Sequence, residues 1–362
     1  VVLKRHTPNS IYMIPFYKNT LLTLLAFLMM PLCMVAQNNK PDALNTYLEQ
    51  AHQAGLFNGN ILVVNGQKVV LKKAIGYADA SKNVMLTTQH RFHIGSIAKE
   101  FDAVSLMMLQ EQGKLSLYDK LVHFFPDLPA WAQKISVKSL LQYTSGLPEI
   151  KWPLVHSDAD NWKLLQALPQ LDFEPGSSYA YTNNNTFLRR RIVEKVSGMP
   201  FNQFVQQKLL KTARIKQGVV DPTDADPLVA RSFNNDFKQD GLQVPISGWT
   251  CLNLDDFYRW SECINKFCLI NPASTQTIIT PFSPGKQAGL GKGTLDGDKV
   301  ITHVHDGVTL RYQALLWAEP TKGRTIIILT NQRQNNVYAI AEAVNAILDQ
   351  QPYQPLAAAT SK

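Results

Sequence analysis

Phe92-His93-Ile94-Gly95-Ser96-Ile97-Ala98-Lys99-Glu100-Phe101 sets a serine and a lysine three residues apart at the head of a helical pattern. Ile97, Phe101, Val104 and Met108 recur at helical spacing over 97–112, and Gly113 stops the run. Three residues nearly complete a turn, so Lys99 returns to the face that carries Ser96. A serine hydroxyl is a weak nucleophile until a base takes its proton. A lysine kept uncharged by burial is such a base. The backbone N–H groups at a helix start favour the negative charge that develops during attack. The spacing alone is weak. It recurs at Ser283-Pro284-Gly285-Lys286, where the Pro-Gly interior breaks the helix that gives it meaning.

Outward from this stretch the elements segregate. Residues 42–54 read as an amphipathic helix with Leu44, Leu48 and Ala51 on one stripe. Asn60–Val64 and Val69–Leu71 flank Asn65-Gly66, a strong hairpin signal. Helical stretches with Pro and Gly punctuation then run to about 285. Strands return at Ala314–Ala318 and Arg324–Thr330 around a Pro320–Gly323 turn, before a last helix with Val337, Ile340, Ala341, Val344, Ile347 and Leu348 on one face. Strands at both ends predict an α+β fold: one antiparallel β-sheet flanked by N- and C-terminal helices, with a mostly helical second lobe and a ligand cleft between. The expected domain covers 37–350, its sheet lobe about 41–95 and 288–350 and its helical lobe about 96–287. Residues 351–362 read as a loose tail.

The chain has 362 residues, 45% hydrophobic and 18% charged. That excludes a disordered, collagenous or disulfide-dense chain. Residues 1–36 hold Lys4, Arg5 and Lys18, no acid, and an apolar run from Leu21 to Ala36, which reads as a secretory leader cleaved after Ala36. Met13 would also begin a complete leader, and an uncleaved membrane anchor is the alternative. Met30-Pro31-Leu32-Cys33 lacks the small residues of a lipoprotein site. Export, to a periplasm or the exterior, is therefore expected. Removing three basic residues with the leader takes the net charge from +8 to +5 over 326 residues, too mild to imply nucleic acid. Arg189-Arg190-Arg191, the one dense basic cluster, reads as a solvated helix face. Cys251, Cys263 and Cys268 remain, with Cys263–Cys268 pairing left open.

The quoted stretch resembles the nucleophile motif of the serine β-lactamase and penicillin-binding-protein superfamily, class C type. The resemblance continues in order through Ile135–Leu141 and Thr144-Ser145-Gly146-Leu147-Pro148, through Tyr181-Thr182-Asn183 after Pro175-Gly176, through Gly248–Phe257, and through His305-Asp306-Gly307 to Thr330-Asn331-Gln332. It implies that Ser96 is the acyl-accepting nucleophile and that Lys99 and Tyr181 share the acid–base work. It implies further that Asn183 positions the substrate and the lysine amine, that His305 and Gly307 line the opposite wall, and that the Ser96 and Val308 amides form an oxyanion hole. The substrate class it implies is a small-molecule or peptide acyl compound (an ester, an amide or a D-amino-acid peptide), with no cofactor and no metal. The membrane enters only through an uncleaved leader, and the oligomeric state stays open.

Some residues depart from the pattern or admit a plainer role. Arg311 stands where the family commonly has glycine, to narrow the site, to bind a substrate carboxylate or to face solvent. Without the lysine of a Lys-Thr-Gly motif, an esterase or peptidase fits better than a true class C-like β-lactamase. Tyr181 could be a core tyrosine and His305 a structural one. His303 and His305, at alternate strand positions, have no third ligand nearby. His90 and His93 suit packing or surface roles. Gly289-x-Gly291-x-Gly293 lacks the strand-to-helix setting of a phosphate loop and reads as a flexible turn. No Gly-x-Ser-x-Gly elbow is present. The rival readings from other classes are a non-catalytic peptidoglycan- or β-lactam-binding module and a basic surface-binding protein.

Overall fold

Helix α1 (Lys40–Gln53) turns Leu44, Tyr47, Leu48 and Ala51 inward, as its sequence stripe predicts. The structure, a computed structural model, describes residues 40–356. The leader expected over 1–36, and residues 357–362, lie outside the described residues. β1 (Gly59–Asn65) and β2 (Lys68–Ile75) form the expected hairpin, with the turn one residue later than Asn65-Gly66 suggests. Asn65 pairs with Lys68, and Gly66 (φ 57°) and Gln67 (φ 62°) supply the two positive dihedrals the tight turn requires. The Asn65 side chain instead accepts a hydrogen bond from Arg324 Nε at 3.1 Å.

The remaining longer elements are β3 (Phe92–His93), α2 (Lys99–Glu111), α3 (Asp158–Gln166), α4 (Asn183–Ser197), β4 (Val219–Val220), β5 (Thr250–Leu252), α5 (Leu254–Asn265) and α6 (Pro272–Ile279), followed by β6 (Lys292–Asp296), β7 (Lys299–Thr309), β8 (Tyr312–Glu319), β9 (Arg324–Thr330) and α7 (Val337–Leu348). The main sheet runs β2-β1-β9-β8-β7-β6 with every pair antiparallel. The first long strand and the last are neighbours in it, with Gly59 of β1 paired to Thr330 of β9.

Strand alternation sorts the core into two layers. Ile61, Val63, Leu315, Ile326 and Ile328 face α1 and α7. Leu62, Val64, Ala314, Leu316, Ile327 and Leu329 face the larger layer that holds α2 and α5. The expected fold class is observed, with one addition. A second sheet, β3-β5-β4, is present; β4 and β5 lie within the stretch expected to be helical, and all three strands are too short to show periodicity. Among the described residues no helix is long and apolar enough to cross a membrane.

Three further readings are corrected. Arg189 and Arg190 do not face solvent: they are 0% and 1% exposed, against Asp102 of α2. A charge run marks a solvated face only when no carboxylate waits in the core. The tail packs through residue 356, Tyr353 meeting Tyr47 edge-on at 5.5 Å and Leu356 packing on the α1–α7 layer. Gly289 and Gly291 are buried, and the glycine spacing there serves close packing rather than flexibility. Cys251, Cys263 and Cys268 are free thiols.

Gly291 and Gly297 test that packing argument, because both have positive φ (70° and 58°). A Cβ at Gly291 would lie 2.5 Å from the His305 ring, whereas one at Gly297 meets open space. Gly291→Ala is expected to cost about 1–3 kcal/mol more than Gly297→Ala in chemical denaturation. Equal losses would mean that the glycines serve only the turn.

Candidate active site

Ser96 lies in a 3₁₀ turn, Gly95–Ala98, between β3 and α2. In a 3₁₀ turn residues three apart eclipse, and Lys99 Nζ is hydrogen-bonded to Ser96 Oγ at 2.9 Å. Gly95 and Gly307 let β7 lie against this turn. A Cβ on Gly95 would come within 2.4 Å of Val308 N, and one on Gly307 within 2.8 Å of Ser96 N. The Ser96 and Val308 amides therefore sit on one seam, as a two-donor anion site needs. A cleft of about 360 Å³ opens over the seam, lined by Ser96, Tyr179, Tyr181, Gly285, Lys286, Gln287, Lys292, Asp306 and Val308. The second Ser-x-x-Lys match thus forms a bend, as its Pro-Gly interior predicts, yet it supplies Lys286 to the rim.

Lys99 is 1% exposed. Burial, then the Arg190 guanidinium, push its amine down from 10.5 to about 7; Asp102 opposes, Arg189 adds to the fall, and Glu149 opposes. The bias toward the uncharged amine is on the order of 5 kcal/mol. The Tyr181 phenol moves the other way. Burial and the neighbouring Tyr143 raise it well above 10, against a smaller pull from the Ser96 hydroxyl. Its ring lies 5.3 Å from the Lys99 amine and 4.6 Å from the Tyr143 ring. A phenol shifted this way keeps its proton near neutral pH and so is not the group poised to act as a base.

Three expected site residues sit elsewhere. Asn183, at the start of α4, donates from Nδ2 to Glu149 Oε1 at 2.9 Å and from its backbone N–H to Glu149 Oε2 at 2.8 Å, and does not bond Lys99. His305 lies on the face of β7 that meets α2, the same face as Gly307, but its ring is buried against Glu100 and is not among the residues lining the cleft, while Asp306 points the other way and accepts from Tyr338 Oη at 2.9 Å. His305 Nδ1 lies 2.7 Å from Glu100 Oε1, which His303 Nε2 also reaches at 2.9 Å, while Trp260 Nε1 donates to Glu100 Oε2 at 2.6 Å. Burial raises the Glu100 carboxyl, but the two facing histidines outweigh it and hold the group well below the usual carboxylate range. Arg311, at the β7–β8 turn, is ion-paired to Asp240 and lies outside the cleft lining.

Sequence reasoning missed the supporting groups. Tyr143 packs on Tyr181, and its hydroxyl accepts from Arg189 Nη2 at 3.2 Å. Ser145 Oγ donates to Asn185 at 2.6 Å, and Thr182 Oγ1 donates to the Leu147 carbonyl at 3.1 Å, so the 144–148 segment fixes the start of α4. Glu100 and Asp102, acids inside an apolar helix pattern, were the available signal. His93 keeps its packing role, buried with Nε2 3.0 Å from the Leu242 carbonyl.

The family model described as Beta-lactamase matches residues 44–351. Penicillin-binding protein 4* of Bacillus subtilis (strain 168) is 24% identical over 88% of this chain and 78% of its own. A solved penicillin binding protein from Bacillus halodurans shares the fold with a TM-score of 0.72 at 22% identity, over 84% of this chain and 98% of that one. The D-amino acid amidase of Ochrobactrum anthropi SV3 does so with a TM-score of 0.68 at 17% identity, over 85% and 98%. With a family model matched over residues 44–351, most of the chain, and the fold shared with those structures, the chain belongs to the Beta-lactamase family.

Proposed function

We propose that the chain is an exported serine hydrolase that cleaves an ester, amide or D-amino-acid peptide bond through an acyl-enzyme. The observation that carries this reading is the 2.9 Å contact between Ser96 Oγ and an amine buried until it is uncharged near neutral pH. The leader-like sequence of 1–36 supports export.

Lys99 takes the Ser96 proton as Oγ attacks the acyl carbon. The oxyanion that forms is met by the Ser96 and Val308 amides, worth about 10²–10³ in rate per donor. When the tetrahedral species collapses, the Tyr181 phenol gives its proton to the leaving group and regains one from the Lys99 ammonium. Water then attacks the acyl carbon as Lys99 takes one of its protons, and when the acyl–oxygen bond breaks the ammonium returns that proton to Ser96 Oγ, releasing the acid and the free hydroxyl. The Glu100 carboxylate, held by His303, His305 and Trp260, ties the start of α2 to β7 and so fixes the spacing of the two amides. Lys286 and Lys292, both exposed at the rim, favour substrates with a carboxylate beyond the scissile bond, the task Arg311 is not placed to do.

A panel of p-nitrophenyl esters, D-amino-acid amides and peptides, and a chromogenic cephalosporin tests the reading. Turnover of at least one class is expected, with a loss on the order of 10³-fold or more in Ser96→Ala and in Lys99→Ala. Undiminished activity in Ser96→Ala contradicts it.

Because Lys99 is competent only when uncharged, kcat/KM is expected to fall about tenfold per pH unit below about 7 and to level off above. A flat profile between pH 5 and 7 would remove the lysine from the base role.

Glu100→Gln keeps the shape of the clamp and removes its charge. Its kcat is expected to drop on the order of 10- to 10²-fold with KM little changed. A change in KM alone would assign Glu100 to substrate binding instead.

A further inference from the structure

Asp102 lies one helical turn beyond Lys99 on α2, buried, with two arginines of α4 closing on its carboxylate. Arg189 Nε is 2.6 Å from Oδ1 and Arg190 Nε is 3.4 Å from Oδ2. A guanidinium keeps its proton at any pH the protein survives. The cluster therefore holds two positive charges against one negative charge. Were Asp102 protonated, the excess would be larger and of the same sign.

The hydrogen-bond partners of the two arginines are uncharged. Arg189 donates to Tyr143 Oη and to Thr186 Oγ1, at 3.2 and 3.0 Å. Arg190 donates to the Ser247 carbonyl, and its Nη2 makes no hydrogen bond. Asp221 is the other carboxylate acting on Arg190, but it is itself committed to the Gly248 and Trp249 amides. The Trp249 ring is near both groups, its centroid 5.3 Å from the Lys99 amine and 5.7 Å from the Arg190 guanidinium. The remaining groups facing Lys99 are the Ser96 hydroxyl, the un-ionised Tyr181 phenol and the exposed Glu149, which is occupied by Asn183.

For stability alone the second arginine is a liability. Arg189 suffices to balance Asp102, and an extra buried cation with an unpartnered nitrogen costs free energy. We propose that Arg189 and Arg190 are positioning residues for the base: their excess positive charge, buried against α2, expels the proton from Lys99 and leaves a free amine against Ser96. The inference rests on the serine-hydrolase reading for its catalytic meaning, while its electrostatic content stands apart from it. The downward push on Lys99 from Arg190, second only to burial, agrees with it.

Arg190→Met leaves Asp102 and Arg189 as a balanced pair. The acid limb of kcat/KM is expected to move up by about one pH unit. Arg190→Lys, which restores charge without the guanidinium's shape, is expected to bring it back. Asp102→Asn removes the carboxylate nearest the two guanidiniums, the one that also faces Lys99, and is expected to move the limb down. Should Arg190→Met fail to fold, Asp102→Asn carries the test with opposite sign. The direct readout is NMR titration of ε-¹³C-lysine-labelled full chain, with the Lys99 signal assigned by its absence in Lys99→Arg. The same shifts are expected there, in wild type and in a Ser96→Ala background. A Lys99 titration that stays put in Arg190→Met and Asp102→Asn overturns the proposal, whatever happens to their melting temperatures. Full activity in Ser96→Ala would overturn the hydrolase reading while leaving the titration result intact.

Discussion

A primary amine taken out of water is the constraint around which this molecule is organised. An ionised ammonium in a low-dielectric interior is so costly that the group gives up its proton instead. Lys99 is in that position, and the one side chain it bonds is the hydroxyl of Ser96. The surroundings reinforce the effect. Tyr181 and Trp249 present ring surface, and the nearest buried carboxylate is outnumbered by guanidiniums. The phenol of Tyr181 is shifted the opposite way from the amine: burial holds it protonated while it pushes the amine toward losing its proton.

That chemistry depends on a seam between segments about 210 residues apart in sequence. The 3₁₀ turn bearing Ser96 touches β7 backbone to backbone, because neither Gly95 nor Gly307 has a Cβ to hold them apart. Beneath the seam, Glu100 gathers His303, His305 and Trp260. The first long strand, β1, pairs with the last, β9, and β8 joins β9 to β7, the strand that lies beside the turn. Fold and site are thus one arrangement: the antiparallel closure of the sheet delivers the second wall of the cleft.

Much of this could be read before any coordinates. Strands at both ends, the inward stripes of α1 and α7, and the Ser96–Lys99 turn all follow from residue spacing, because burial there obeys a simple period. Illegible features share a different physics. The Asp102–Arg189–Arg190 cluster is a tertiary pairing of charges that each look solvated within their own helix. His305 and Asp306 are adjacent, and only the pleat of β7 decides that the histidine turns to Glu100 of α2 and the aspartate to Tyr338 of α7. Arg311 and Asn183 found the nearby carboxylates Asp240 and Glu149, partners that no local pattern reveals. The three-residue β5 is too short to carry a period at all.

The account stands on Ser96 becoming acylated. Treating the full chain with a fluorophosphonate or a penicillin, then locating the added mass by peptide mass spectrometry, tests this without knowledge of the natural substrate. One adduct on the peptide containing Ser96 is expected, formed faster at pH 8 than at pH 6 and absent from Lys99→Ala. An adduct on a different residue, or equal labelling with and without the lysine, contradicts it.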